Sequence, residues 1–192
     1  MNRTLIATLL AASALTAGAA SAQDAGWYVR GDVGAAFEGE IDATPKQETD
    51  TGFAISGGVG RHLNDSVRLE GELAYLDGDV SGSAGGDAQI LAGFANAYYD
   101  FNPGGQWRPF VGAGLGFGQV KVDSPLIDDE DTGFAYQLKA GVGYRFDERL
   151  TGEVAYRYLG VTDIELGSGP TKIDGDVSTH AVTVGLRYQL GR

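Results

Sequence analysis

The sequence predicts an all-β fold, an eight-stranded antiparallel up-and-down transmembrane β-barrel. Apolar and polar residues alternate with a period of two in eight segments, and the connections between these segments are alternately short and long. Aromatic residues also stand near both ends of the apolar faces. Alternating strands of about 10 residues with this pattern of connections are typical of barrels that cross a membrane.

Composition excludes several other classes of protein. The 192 residues contain no cysteine and only two histidines, so disulfides, zinc–thiolate centres and three-histidine metal sites are excluded. A formal net charge of −12 argues against a nucleic-acid partner, which requires a concentrated basic face. The 31 glycines follow no collagen period, and the chain is too apolar to be disordered. We expect no cofactor and no metal.

The first 22 residues have the three parts of a secretory signal peptide. Arg3 is followed by an uncharged, partly apolar stretch that ends in Ala20-Ser21-Ala22, so cleavage is expected before Gln23. A membrane anchor is the alternative, but Thr, Ser, Ala and Gly dilute the apolar stretch. We therefore expect a cleaved signal over 1–22 and one barrel domain over 23–192.

The eight predicted strands follow in chain order, and each has one mainly apolar face. Strands one and three pair apolar residues with charges, strand four has a weaker contrast, and strand five alternates apolar residues with glycine. Strand six is the clearest, since Phe134, Tyr136 and Leu138 open an apolar face of seven residues. The predicted strands cover 27–37, 53–60, 67–75, 91–101, 111–118, 134–146, 150–158 and 181–190.

The connections predict the orientation of the barrel. Those after strands two, four and six are short, whereas 38–51, 77–87, 123–132 and 161–177 are long. Short periplasmic turns and long extracellular loops are characteristic of outer-membrane barrels, so both chain ends are expected on the periplasmic side.

The aromatic residues distinguish a membrane barrel from a soluble ligand carrier. A lipocalin-like carrier has its apolar face inside and has no reason to place aromatic residues at both rims. Here Trp27 and Tyr188 stand at one end of the apolar face and Phe37 and Phe117 at the other, with aliphatic residues between them. Two aromatic belts are typical of lipid interfaces, so the apolar face is predicted to point outward.

The opposite face of the strands is charged. Eight strands enclose a lumen just wide enough for side chains, and unpaired buried charges are costly, so these groups are expected to form ion pairs that plug the barrel. A narrow water-filled pore for small solutes is the alternative. The predicted lumenal network comprises Arg30, Asp32, Arg68, Glu70, Glu72, Lys139, Arg145, Glu153, Arg157 and Arg187.

The chain resembles the outer-membrane β-barrel family that includes opacity-like surface antigens and the OmpA-like transmembrane domain. The resemblance rests on the segments 26–31, 96–101 and 109–116 and on the last strand. It implies insertion into the outer membrane as a monomer, in contact with lipid and lipopolysaccharide, and delivery by the barrel-assembly machinery. The machinery's recognition pattern is matched by Thr183, Gly185, Tyr188 and Leu190, although family members commonly end at the last position and here Gly191 and Arg192 follow.

The sequence contains two candidate chemical sites, and for each of them a structural interpretation is better supported than a chemical one. The run Asp128-Asp129-Glu130-Asp131 in the acidic third loop could collect Ca²⁺, but it lacks EF-hand spacing and is better explained as a solvated loop. Ser178 and His180 share one strand face, as in a lipid A hydrolase, but no carboxylate is placed to orient the imidazole. We expect a non-enzymatic surface protein that supports envelope integrity, with a lipid A-modifying enzyme or a narrow channel as the alternatives and the loop partner unidentified.

Overall fold

The computed structural model describes residues 26–38, 51–79, 87–124, 127–166 and 173–190. The predicted signal peptide 1–22 and residues 39–50 of the first long connection lie outside these ranges. The described chain forms eight strands: β1 (Trp27–Glu38), β2 (Thr51–His62), β3 (Val67–Asp79), β4 (Asp87–Asp100), β5 (Trp107–Ser124), β6 (Ile127–Arg145), β7 (Leu150–Leu166) and β8 (Ile173–Gln189).

The strands form a closed antiparallel barrel in sequence order, which confirms the predicted fold. Each strand pairs with its neighbours in the chain, and β1 pairs with β8 in a register that places Val29 opposite Tyr188. In the described part of the chain, no helix is long and apolar enough to cross a membrane. Where a described strand is paired on both sides, closure leaves no free strand edge.

Strands β5 to β8 are longer than the alternation predicts. The connection predicted over 123–132 is mostly strand, because β5 and β6 remain paired as far as Ser124 and Ile127. The connection predicted over 161–177 is likewise shortened, since β7 and β8 pair out to Leu166 and Ile173 after a register shift between Val161 and Ile164. The alternation of apolar and polar residues fades toward these strand ends, but backbone pairing continues there, so the predicted strands were too short.

Three short turns join the strands at one end of the barrel, as predicted. They cover 63–66, 101–106 and 146–149. Asn64 Oδ1 accepts hydrogen bonds from the backbone N–H groups of Ser66 and Val67, each at 2.9 Å. Asp147 Oδ1 does the same for Arg149 and Leu150, at 2.7 and 2.8 Å. Side-chain caps of this kind satisfy turn amides that no ladder partner reaches.

Glycine on β5 makes room for the large lumenal side chains of β4. Gly112 stands opposite Tyr98 and Gly114 opposite Asn96. A Cβ atom at Gly112 would overlap the Tyr98 ring, and one at Gly114 would overlap the Asn96 amide. These glycines therefore allow bulky polar groups to point into a narrow barrel.

Candidate functional site

The lumen is filled by two stacked groups of side chains, which we call the charged layer and the apolar layer. The charged layer lies nearer the three short turns, and the apolar layer lies nearer the opposite end. Ten buried ionic side chains make up the charged layer. They are Arg30, Asp32, Arg68, Glu70, Glu72, Asp100, Lys139, Glu153, Arg157 and Arg187.

Glu72 on β3 is the centre of the charged layer. Its Oε2 accepts hydrogen bonds from Arg30 Nη2 at 3.0 Å and from Lys139 Nζ at 2.6 Å. The same oxygen accepts from Asn96 Nδ2 at 2.8 Å and from Gln137 Nε2 at 3.2 Å. Arg157 Nη2 donates to the other oxygen at 2.6 Å. One carboxylate thus joins side chains from β1, β4, β6 and β7.

Arg68 forms the second centre, closer to the short turns. Its Nε lies 3.2 Å from Asp100 Oδ2, and its guanidinium carbon lies 4.2 Å from the centroid of the Tyr98 ring. The rings of Tyr28 and Phe110 also flank the guanidinium, at 5.7 and 5.0 Å. Ring faces carry negative charge density, so this arrangement stabilises a cation that has no access to water.

Cross-lumen pairs are needed because the barrel wall places like charges side by side. The register sets Arg30 opposite Arg187 across β1 and β8, and Lys139 opposite Arg157 across β6 and β7. Like charges directly opposite each other destabilise a sheet. Acids on other strands offset this repulsion: Glu72 contacts Arg30, and Glu153 Oε1 lies 3.2 Å from Arg187 Nε.

The charged layer differs from the predicted network at two positions. Arg145 lies at the barrel rim with the short turns, where its Nη2 donates to the carbonyl oxygen of Gly104 at 3.3 Å, and it does not join the buried cluster. The inner face of β6 continues past the filled part of the lumen, so this last residue of the strand reaches the rim. Asp100, which the sequence reasoning did not include, is buried against Arg68. Among the described residues, the buried layer therefore contains five cations and five anions.

The apolar layer was not anticipated from the sequence. It contains both large and small buried residues, and Leu159 and Val161 of β7 have no exposed surface. These side chains pack together in the half of the lumen nearer the long connections. Its members are Ala36, Ala54, Ala74, Leu76, Ile90, Ala92, Phe94, Val120, Ala135, Leu159, Val161 and Ala181.

The outward face is apolar and carries aromatic residues at both ends. Near the short turns, Phe101, Trp107 and Phe146 are each about 60% exposed. Edge-to-face contacts join Trp107 to Tyr144 and Tyr144 to Phe146. At the other end Phe117 packs edge-on against Phe134. Aliphatic side chains such as Leu73 and Val184 are exposed between these belts, an arrangement typical of contact with lipid.

Neither candidate chemical site forms an organised constellation in the described structure. His180 Nδ1 is hydrogen-bonded to the Tyr156 hydroxyl and the imidazole stacks near Tyr158, so an aromatic hydroxyl stands where a hydrolase would place a carboxylate. For the acidic run, only the Asp131 side chain lies within the part described. Among the described residues, no group of three or more possible metal ligands comes together.

The last strand places the four predicted assembly residues at the seam with β1. Thr183 is buried in the lumen, while Tyr188 is exposed on the outward face. A Cβ at Gly185 would lie 2.6 Å from the Gly31 carbonyl oxygen, so only glycine allows β8 to approach β1 this closely. Leu190 continues the pairing, since its N–H donates to the Trp27 carbonyl oxygen at 2.8 Å.

Comparison with known proteins identifies the family. A family model described as "Outer membrane protein beta-barrel domain" matches residues 7–189. The chain belongs to this family. An uncharacterized protein of Brucella abortus (strain 2308) is 26% identical over 241 residues, which cover 86% of this chain and 85% of that protein. The 22 kDa outer membrane protein of Rhizobium leguminosarum bv. viciae is 28% identical over 127 residues, covering 62% of this chain and 57% of the relative.

Solved structures of outer membrane protein beta-barrels share the architecture. Neisserial surface protein A superposes with a TM-score of 0.63 at 21% identity, covering 85% of this chain and 96% of that one. Ail, the attachment invasion locus protein of Yersinia pestis, gives a TM-score of 0.51 at 17% identity, covering 85% and 99%. The protein is thus an outer membrane β-barrel, which confirms the predicted location, and lipid and lipopolysaccharide surround it.

Proposed function

We propose that this protein is a closed structural barrel of the outer membrane that presents its extracellular loops to partners and conducts no solute. The observation that carries the proposal is the double filling of the lumen. A solute would have to separate the ion pairs around Glu72 and then cross the dry layer formed by Leu76, Phe94 and Leu159. Breaking buried ion pairs and wetting apolar side chains are both costly.

The proposal includes no catalytic step. A lipid A hydrolase requires a serine, a histidine and a carboxylate in hydrogen-bond reach near the outer leaflet. The partner of His180 is Tyr156, and Ser178 stands beside Gly160 across β7 and β8. We infer that His180 is an interfacial residue that completes the aromatic belt.

The same proposal covers assembly and oligomeric state. Closure between β1 and β8 removes the strand edges through which barrels could join, which favours a monomer. The outward Tyr188 and the seam residue Gly185 belong to the segment that would be presented to the barrel-assembly machinery before closure. We infer that the machinery recognises this strand during insertion.

Conductance across a planar bilayer tests the closed lumen. We expect the purified, folded wild-type protein to give no large, stable open-channel current. A variant with Glu72→Ser, Arg157→Ser, Leu76→Ser and Phe94→Ser changes no residue of the turns and removes side-chain volume from both layers of the lumen. The folded variant should therefore conduct. Heat-dependent gel mobility shows whether each sample contains a folded barrel. A stable open channel in folded wild-type protein would contradict the proposal.

A further inference from the structure

An apolar groove of about 770 Å³ crosses the outward face of β1 to β5 in the periplasmic half of the barrel. This volume lies within the range of pockets that hold small ligands. The residues that bear on the argument are Trp27, Arg61, Leu69, Gly71, Ala97 and Leu115.

The strand register explains why the surface is depressed there. Arg61, Leu69 and Ala97 form one outward row, and Val59 and Gly71 belong to the next. The small residues Gly71 and Ala97 therefore lie on neighbouring rows and leave the surface low between them. Large neighbours rise on either side: Leu69 is 46% exposed and Leu115 is 61% exposed. The groove therefore has a low floor and aliphatic walls, which is a shape that accommodates a flexible hydrocarbon chain.

One end of the groove is cationic and aromatic. Trp27 and Arg61 are register partners, and the Arg61 guanidinium carbon lies 6.0 Å from the centroid of the Trp27 ring. Both stand at the end of the barrel with the short turns, since Trp27 is the first residue of β1 and Arg61 the last but one of β2. The register places Arg61 in line with Leu69 and Ala97, two residues from Tyr99 of the aromatic belt. This level corresponds to the headgroup region of the periplasmic leaflet.

The two ends of the groove match the two parts of a phospholipid. An acyl chain fits the apolar floor, and a phosphate at the headgroup level meets Arg61, whose planar guanidinium can donate two parallel hydrogen bonds to phosphate oxygens. Glycerol and ester groups would lie against Trp27, which is amphipathic and suits the interface. A free phosphate would use only the cationic end, and a neutral lipid would use only the groove.

We infer that this groove is a binding site for one anionic phospholipid of the periplasmic leaflet, with the phosphate held by Arg61 and an acyl chain lying over Gly71 and Ala97. The site is separate from the lumen, and it stands whether or not the lumen conducts.

Native mass spectrometry of the folded protein in detergent tests the inference, with dioleoyl-phosphatidylglycerol as the probe. We expect one bound lipid per wild-type barrel. Arg61→Gln removes the phosphate ligand, and Gly71→Leu fills the groove; each should weaken binding on the order of tenfold. Gly71 is a suitable site because an added Cβ would meet only the Val59 carbonyl oxygen, at 4.0 Å. Ala97→Leu, at another exposed position in the groove, replaces Gly71→Leu if that variant does not fold.

Two matched variants serve as controls. Arg149→Gln removes an arginine in the third short turn, which does not line the groove, and Gly31→Leu adds the same bulk at an outward glycine with no atom within 4 Å. Both should bind like wild type. Dioleoylglycerol, which lacks the phosphate, and glycerol phosphate, which lacks the acyl chains, should each bind more weakly than the phospholipid. Wild-type binding by folded Arg61→Gln or groove-filled protein would overturn the inference, and so would equal loss in the controls.

Discussion

Glu72 shows how a single carboxylate can organise a barrel interior. Its two oxygens accept from three cationic and two amide side chains, and the surrounding wall contributes the like-charged pairs Arg30–Arg187 and Lys139–Arg157. In a low-dielectric interior, loss of one member leaves the others uncompensated, which is far more costly than loss of a surface ion pair.

Replacing Glu72 by Gln should therefore destabilise the protein strongly. The substitution retains size but leaves Arg30, Lys139 and Arg157 without their shared anion, and we expect a loss of about 3–5 kcal/mol in the free energy of unfolding. Urea unfolding in detergent micelles, followed by tryptophan fluorescence, measures it. Glu148→Gln, an exposed carboxyl in the third short turn, is the control and should have little effect. Equal unfolding midpoints for the two variants would contradict the central role of Glu72.

Asp147 provides a pH-dependent test outside the membrane-spanning part. The backbone N–H groups of Arg149 and Leu150 donate to its carboxylate and hold the pKa of Asp147 below its ordinary value. Since the pKa is lower in the folded state, the turn's contribution to stability is present above the ordinary carboxyl pKa and is lost as pH falls through the folded value. An NMR titration should find a lower midpoint for Asp147 in the folded barrel than in a peptide of residues 145–151. A midpoint equal to that of the peptide would show that the cap is not formed in solution.

At the scale of a strand, glycine positions differ sharply in whether they have room for a side chain. A Cβ at Gly116 of β5 would overlap the carbonyl oxygen of Gly93 on β4, and backbone cannot move aside as a side-chain end can. A Cβ at Gly31 of β1 would meet no atom within 4 Å. The difference follows from local strand approach rather than from the fraction of glycine in the chain.

Gly116→Ala should consequently destabilise the barrel by about 1–3 kcal/mol, the range expected for overpacking. Gly31→Ala is the same substitution at an open, lipid-facing position, so the stability of this variant should remain close to that of the wild type. Urea unfolding midpoints in the same detergent compare the two. The interpretation fails if both variants shift equally.

The final strand can be tested in cells. Tyr188→Ala combined with Leu190→Ala should leave the protein in the periplasm, because the segment that we propose the assembly machinery recognises loses its aromatic and hydrophobic residues. Tyr144→Ala with Leu138→Ala removes a comparable pair from β6 and should still reach the membrane fraction. Wild-type amounts of the β8 variant in that fraction would refute the proposed assembly role.

The sequence predicted which residues of each strand point inward and which point outward, but it did not predict how far the strands extend. Alternation assigned the inner and outer faces well enough to place Glu72, Lys139 and Arg157 in the lumen. The predicted strands stopped at Tyr75, started again at Leu91 and ended at Tyr158, so Leu76, Ile90 and Leu159 lay just outside the assigned strands. Much of the apolar layer is built from residues just beyond those limits, where neighbouring positions are apolar on both faces and local contrast disappears.

At the scale of the whole molecule, the partners in the charged layer could not be deduced from local pattern. Arg157 and Asp32 belong to strands that do not pair with each other, yet their side chains approach to 3.5 Å across the lumen. Only closure of the sheet brings such groups together. The sequence likewise placed Arg145 on the inner face, but its height relative to the filled lumen depends on how the strands stagger.

The like-charged pair at the seam has a consequence for the order of assembly. Arg30 and Arg187 stand opposite each other where the first and last strands meet, and the acids that contact them come from β3, β4 and β7 as well as from β1 itself, where Asp32 lies 3.4 Å from Arg30. Two free edges approaching without those strands in place would repel each other. Stable closure therefore requires that the intervening strands are already in place, because the two arginines meet all of their acidic partners only in the complete barrel.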